Sequence, residues 1–106
     1  MKNLQQGLGR WHLVSENGDP VIIGCSPITL GRDQGCTLQV ADATISKRHA
    51  MLFAREEQLH LCDAGSANGT LVNGVRIFER RRLFHGDVIQ LGSHRLAVAY
   101  LTKAAA

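Results

Sequence analysis

Short apolar runs, several of them alternating with polar residues, are separated along this chain by turn-forming residues. Leu59-His60-Leu61 and Val88-Ile89-Gln90-Leu91 show part of the period of two expected where a strand buries one face. The pattern predicts strands at Trp11–Ser15, Val21–Gly24, Ile28–Gly31, Thr37–Val40, His49–Arg55, Leu59–Cys62, Leu71–Val72, Arg81–Leu83, Val88–Leu91 and Leu96–Leu101. Three Asn-Gly pairs, Asn17-Gly18, Asn68-Gly69 and Asn73-Gly74, stand between runs. Asn-Gly favours the positive φ that tight hairpins need. No window of about a dozen residues carries the helical period. An all-β fold follows, an antiparallel sandwich or barrel without internal repeats. Residues 1–10 read as a flexible lead-in, 11–101 as one domain, and 102–106 as a tail or the start of a linker.

Composition narrows the class. The 106 residues suit one domain with a core of its own. Hydrophobic residues at 44% and charged residues at 20% exclude a disordered body. Cys25, Cys36 and Cys62 are odd in number, widely spaced and free of any C-x-x-C pair, which argues against a disulfide framework or a zinc site. The opening Met1-Lys2-Asn3-Leu4-Gln5-Gln6-Gly7 holds no apolar signal region, and no run approaches a membrane helix. The expectation is a cytoplasmic protein or fragment, and the compact loops lean towards a bacterial one. A net charge of +3 suits an anionic partner but is too small to call for nucleic acid.

Three segments between the strands gather polar residues: Leu30-Gly31-Arg32-Asp33, Ile45-Ser46-Lys47-Arg48-His49, and Asp63 to Thr70 followed by Leu71-Val72-Asn73-Gly74. In a sandwich, loops at one end can converge on a shared site. Arg32 offers a planar fork of donors suited to phosphate, Ser46 a hydroxyl, Lys47 a mobile cation. Asn68 can donate and accept at once, so it can pin the main chain of an extended ligand. The neighbouring glycines let backbone amides approach an anion. No carboxylate pair, nucleophile with base, or metal cluster stands with them. The chemistry on offer is recognition, with no catalysis, cofactor or metal.

Gly31-Arg32, Ser46-x-x-His49, and Asn68-Gly69-Thr70 with Asn73-Gly74, in this order and spacing, resemble the motif of the forkhead-associated (FHA) family. The resemblance covers roughly residues 11–101. It implies a sandwich of two mainly antiparallel sheets with about eleven strands and a peptide site on loops at one end. It also implies that the domain binds phosphothreonine peptides in signalling or regulated assembly. Its partner would be a substrate of a serine/threonine kinase, with no nucleic acid and no membrane insertion. Arg32, Ser46 and Lys47 would contact phosphate, and Asn68 the peptide backbone. His49 would brace the loops from behind. Gly31, Gly69 and Thr70 would shape them, and Asn73-Gly74, counted with this support, would form a hairpin turn. The family prefers phosphothreonine through a pocket for the γ-methyl group and reads a residue further along the peptide.

One departure stands out. Where the family often has a threonine or serine just before Asn-Gly-Thr, this chain has Ala67. Ser66 beside it is a candidate contact, although its side chain should point the other way. Ala67 therefore keeps an alternative open: a phosphorylation-independent interaction or scaffold module, as in a secretion-system component. Other features have simpler readings. Trp11 and Phe53 read as core, and His12, His60, His85 and His94 lack metal-ligand spacing. Arg80-Arg81-Arg82 reads as a solvated strand edge that guards against aggregation, or else as a patch for nucleic acid or an acidic partner.

Overall fold

A computed structural model of the protein describes residues 9–15, 18 and 20–102. Eleven strands make up its regular structure: β1 (Gly9–Ser15), β2 (Val21–Ile23), β3 (Ile28–Gly31), β4 (Leu38–Gln39), β5 (Ala50–Arg55), β6 (Gln58–Asp63), β7 (Thr70–Val72), β8 (Val75–Ile77), β9 (Arg80–Leu83), β10 (Val88–Leu91) and β11 (His94–Thr102). They form two sheets, one ordered β2-β1-β11-β10-β7-β8 and the other β4-β3-β5-β6-β9. Every pairing is antiparallel except β3 with β4. The fold is the all-β sandwich that the alternation predicts.

Period two places the core. Trp11, Leu13, Val72, Ile89, Leu91, Leu96 and Val98 point inward from the larger sheet, and Leu30, Leu52, Leu59, Leu61 and Leu83 from the smaller. Each fully buried side chain of this size stabilises the fold by about 1.5–3 kcal/mol relative to exposure. Ile45, 1% exposed, enters the same core from the loop between β4 and β5 and so anchors that loop. Glu56 and Glu57 both hold positive φ, 53° and 66°, in the two-residue turn between β5 and β6. The Trp11 indole N–H donates to the Glu57 carbonyl at 3.1 Å and fixes this turn against β1.

Several expectations need correction. Phe53 is not core: Leu52 and Ala54 take the inward positions of β5, and Phe53 lies on the outer face, stacked on His60. β8 lacks a counterpart in the sequence reading because only Ile77 of its three residues is buried. Gly9 and Arg10, assigned to the lead-in, pair with Thr102 and Leu101, and Thr102, assigned to the tail, completes β11. The rest of the lead-in and tail, residues 1–8 and 103–106, lies outside the described residues, as does Asn17 of the first Asn-Gly pair. Asn73 (φ 51°) and Gly74 (φ 84°) form the hairpin between β7 and β8. Asn68-Gly69 is no hairpin; it sits in the longer connection from β6 to β7, and of the pair only Gly69 is left-handed (φ 91°).

Candidate functional site

The connections β3–β4, β4–β5 and β6–β7 meet at one end of the sandwich, held by main-chain bonds. Arg32 N donates to the Ser46 carbonyl at 3.0 Å, Asp33 N to Lys47 at 3.1 Å, and His49 N to Leu30 at 2.8 Å. A Cβ at Gly31 would run into the Lys47 carbonyl, with the Cys36 sulfur also too close, so only glycine permits this approach. Buried Cys36 donates to the same carbonyl at 3.1 Å.

His49 is fully buried behind these loops. Its Nδ1 accepts from Ser46 N at 3.1 Å, and its Nε2 faces the Gly69 carbonyl at 2.8 Å. An amide can only donate, so Nδ1 is the acceptor and Nε2 carries the proton. One imidazole thus links the second loop to the third.

In front of it, Arg32 is exposed, and its Nε donates to the Ile45 carbonyl at 2.9 Å. That bond lays the side chain along the β4–β5 loop and leaves both terminal nitrogens without a protein partner among the described residues. The Ser46 hydroxyl accepts from Ala67 N at 2.9 Å, which orients its oxygen and keeps its own proton available. Lys47 is exposed beside it. Asn68 donates through Nδ2 to the Thr44 carbonyl at 2.8 Å, with its amide oxygen uncommitted. Arg32, Ser46, Lys47 and Asn68 are therefore brought to one end of the fold.

The other candidates lie differently. The Ser66 hydroxyl donates to Asp63 at 2.6 Å and accepts from Gly69 N at 3.0 Å, so Ser66 closes its own loop and turns away from the exposed surface. The Ala67 amide is committed to Ser46, and its methyl supplies no donor. Thr70, buried, donates to Asp63 at 2.6 Å. A Cβ at Gly69 would press on the Arg76 guanidinium, which places Arg76 next to the loop cluster. Asn73-Gly74, expected among the residues supporting the binding loops, lies at the far end of β7. There Asn73 donates to Asp87 at 3.0 Å and accepts from Val88 N at 2.9 Å.

Two carboxylates that the sequence reading left without a role organise the loops. Asp63 accepts from Gly65 N, Ser66 N, the Ser66 hydroxyl and the Thr70 hydroxyl. Burial pushes its pKa up, but the bonds from Ser66, Thr70 and the loop amides outweigh that effect and hold it below the usual value. Asp63 with Gly65-Ser66 two and three residues on is an Asx-turn signal that could have flagged it. Asp42 accepts from the Thr44 hydroxyl at 2.6 Å, Thr44 N at 2.7 Å and Ser93 at 3.0 Å, with His94 at 3.3 Å. These partners, the Thr44 hydroxyl first, lower its pKa to about 2. Both depressed values stabilise the folded loops above the ordinary carboxylate pKa, and that contribution is lost as pH falls through the folded one. A carboxyl NMR titration is expected to show Asp42 with a midpoint near 2; a midpoint at 3.8 would contradict this network.

The loop end of this sandwich thus presents a guanidinium fork, a hydroxyl, an ammonium and a carboxamide on a rigid frame, the equipment of a peptide-recognition module. Among the described residues no group of three or more His, Cys, Asp or Glu is placed to hold a metal. Nor is any helix among them long and apolar enough to cross a membrane. The chain belongs to the FHA domain family, which matches residues 28–92. It is 34% identical over 85 residues to mouse proliferation marker protein Ki-67, covering 76% of this chain and only 3% of Ki-67. Its fold is similar to the solution structure of the FHA domain of an Arabidopsis thaliana hypothetical protein. The TM-score is 0.84 and the identity 26%, with 100% of this chain and 98% of the other covered. It is also similar to the MEK1 FHA domain crystallised with a HOP1 phosphothreonine peptide, at TM-score 0.76 and 28% identity, over 85% of this chain and 95% of that one. Relatives occur in mouse and Arabidopsis as well as in mycobacteria, so they do not fix a bacterial origin.

Proposed function

We propose that this domain binds phosphothreonine peptides and so couples a kinase's action to a protein–protein contact in the cytoplasm. The convergence of Arg32, Ser46, Lys47 and Asn68 at one loop end carries the reading, and the peptide held by the MEK1 domain supports it. A phosphothreonine brings about −1.5 to −2 charges at neutral pH. The terminal nitrogens of Arg32 meet two phosphate oxygens, the Ser46 hydroxyl donates to a third, and Lys47 adds charge. The Asn68 amide oxygen accepts from the peptide main chain. Ala67 N–H acts on the phosphate only through Ser46, whose oxygen it orients. A cleft lined in part by Val40, Ala41, Ser93 and His94 opens beside the Thr44 loop and fits a downstream peptide side chain.

Ala67 favours a second reading, a docking module indifferent to phosphate. A degenerate peptide library with one fixed position, supplied as phosphothreonine, phosphoserine and threonine, separates the two. Selective capture of the phosphothreonine set is expected, with affinity falling below the second phosphate pKa of about 6. Equal capture of all three sets would favour the phosphate-indifferent module.

A further inference from the structure

The smaller sheet turns one face to the core and leaves the other uncovered among the described residues. Cross-strand register sets Met51 beside Cys62 and Arg80 in one row, and Phe53 beside His60 and Arg82 in the next. Arg55 continues this face along β5. Phe84, 55% exposed, lies just past β9 with the Arg82 guanidinium 4.5 Å over its ring.

We propose that this face docks an acidic segment of a partner protein, one whose carboxylates are interspersed with apolar side chains. The site is separate from the loop cluster. Charge carries the argument. The only ion contact within 4 Å among the described residues is His94 with Asp42, so Arg55, Arg80 and Arg82 have no carboxylate partner there. Outside the described part, residues 1–8 and 103–106 contain no Asp or Glu side chain, while Glu16 and Asp19 fall in sequence between β1 and β2 of the other sheet. Burial, then the neighbouring cations Arg80, Arg82 and Arg55, lowers the pKa of His60. Arg80 and Arg82 sit two residues apart on an edge strand, about 6.5–7 Å along it, the spacing of alternate side chains in an extended segment. Between these charges, Met51 and Phe53 offer apolar surface to cover. A guard against edge pairing accounts for the arginines of β9 but not for Arg55, nor for exposed Phe84. Single-stranded nucleic acid fits less well, because bases stack on free ring faces. Here Phe53 and His60 stack on each other at 5.3 Å and 26°, and Arg82 covers Phe84.

The test uses the full chain and a labelled, unphosphorylated peptide of glutamates interspersed with leucines, followed by anisotropy and amide NMR. Saturable binding is expected, with shifts confined to β5, β6 and β9. Arg80→Glu combined with Arg82→Glu should weaken it by about tenfold or more while the remaining amide spectrum stays native. Arg32→Ala should leave it unchanged, so the result stands whether or not the loop end reads phosphate. Any of four outcomes overturns the proposal: no binding at low salt, equal binding of a peptide with lysines in place of the glutamates, insensitivity to the double charge reversal, or tighter binding of an oligothymidine on the same strands.

Discussion

Arg32→Ala is expected to weaken phosphothreonine-peptide binding by about a hundredfold or more, with the fold intact. The side chain is exposed and packs on nothing in the core, so its removal costs the sandwich little. It is tethered through Nε to the Ile45 carbonyl, and Ile45 is itself rooted in the core. The terminal nitrogens are therefore held in place before ligand arrives, and little side-chain entropy is lost on binding. Hydrogen bonds to a charged group contribute about 1.5–3 kcal/mol each, and two of them from one fork give the stated factor. Arg32→Lys keeps the charge but loses both the fork and the tether, so it should recover only part of the affinity. Calorimetric titration of a phosphothreonine peptide against the three proteins measures this. A loss of only a factor of about five, the most expected of an exposed ion pair, would place the phosphate elsewhere.

His49→Ala should lower the stability of the domain by about 3–4 kcal/mol and weaken peptide binding as well. The imidazole is fully buried and bonded at both nitrogens. Alanine leaves a cavity, an unpaired Ser46 amide and an unpaired Gly69 carbonyl in the same place. The loss is a large share of a domain's usual reserve of about 5–15 kcal/mol. The loops that carry Ser46 and Asn68 would also lose their buried tie and be held to each other only by the exposed Ser46–Ala67 and Asn68–Thr44 bonds. Denaturant midpoints report the first effect and peptide affinity the second. A stability change under about 1 kcal/mol would mean that water replaces the ring's bonds without penalty.

Strand positions were legible wherever burial follows period two over several residues. Ile28–Gly31 and Val88–Leu91 carry the same bounds in sequence and structure. β8 escaped because a three-residue edge strand shows only one buried position. Phe53 misled because a large aromatic reads as core by composition, while its register beside Leu52 puts it outside. At the site, the residues facing outward could be named from their chemistry and order. Of the inner supports, His49, Gly31, Gly69 and Thr70 could be named through the family resemblance, whereas Asp63 and Asp42 could not. Asp63 and Asp42 act through hydroxyls and amides that reach them only after the loops have folded. The two pairs Asn68-Gly69 and Asn73-Gly74 are the same dipeptide, and their different conformations are set by the flanking strands rather than by the pair itself.

Gly9 stands opposite Thr102 on neighbouring strands, so the described chain enters and leaves the sandwich at a single point. From His94, beside the Thr44 loop through Asp42, the nine residues of β11 run to that point, about 26–27 Å at the usual rise of a strand. The loop cluster and the attachment point therefore occupy opposite poles. Flanking polypeptide on either side would be tethered at the rear, leaving the front clear to meet its ligand. With both ends on paired neighbouring strands, flanking polypeptide can be joined there without opening either sheet.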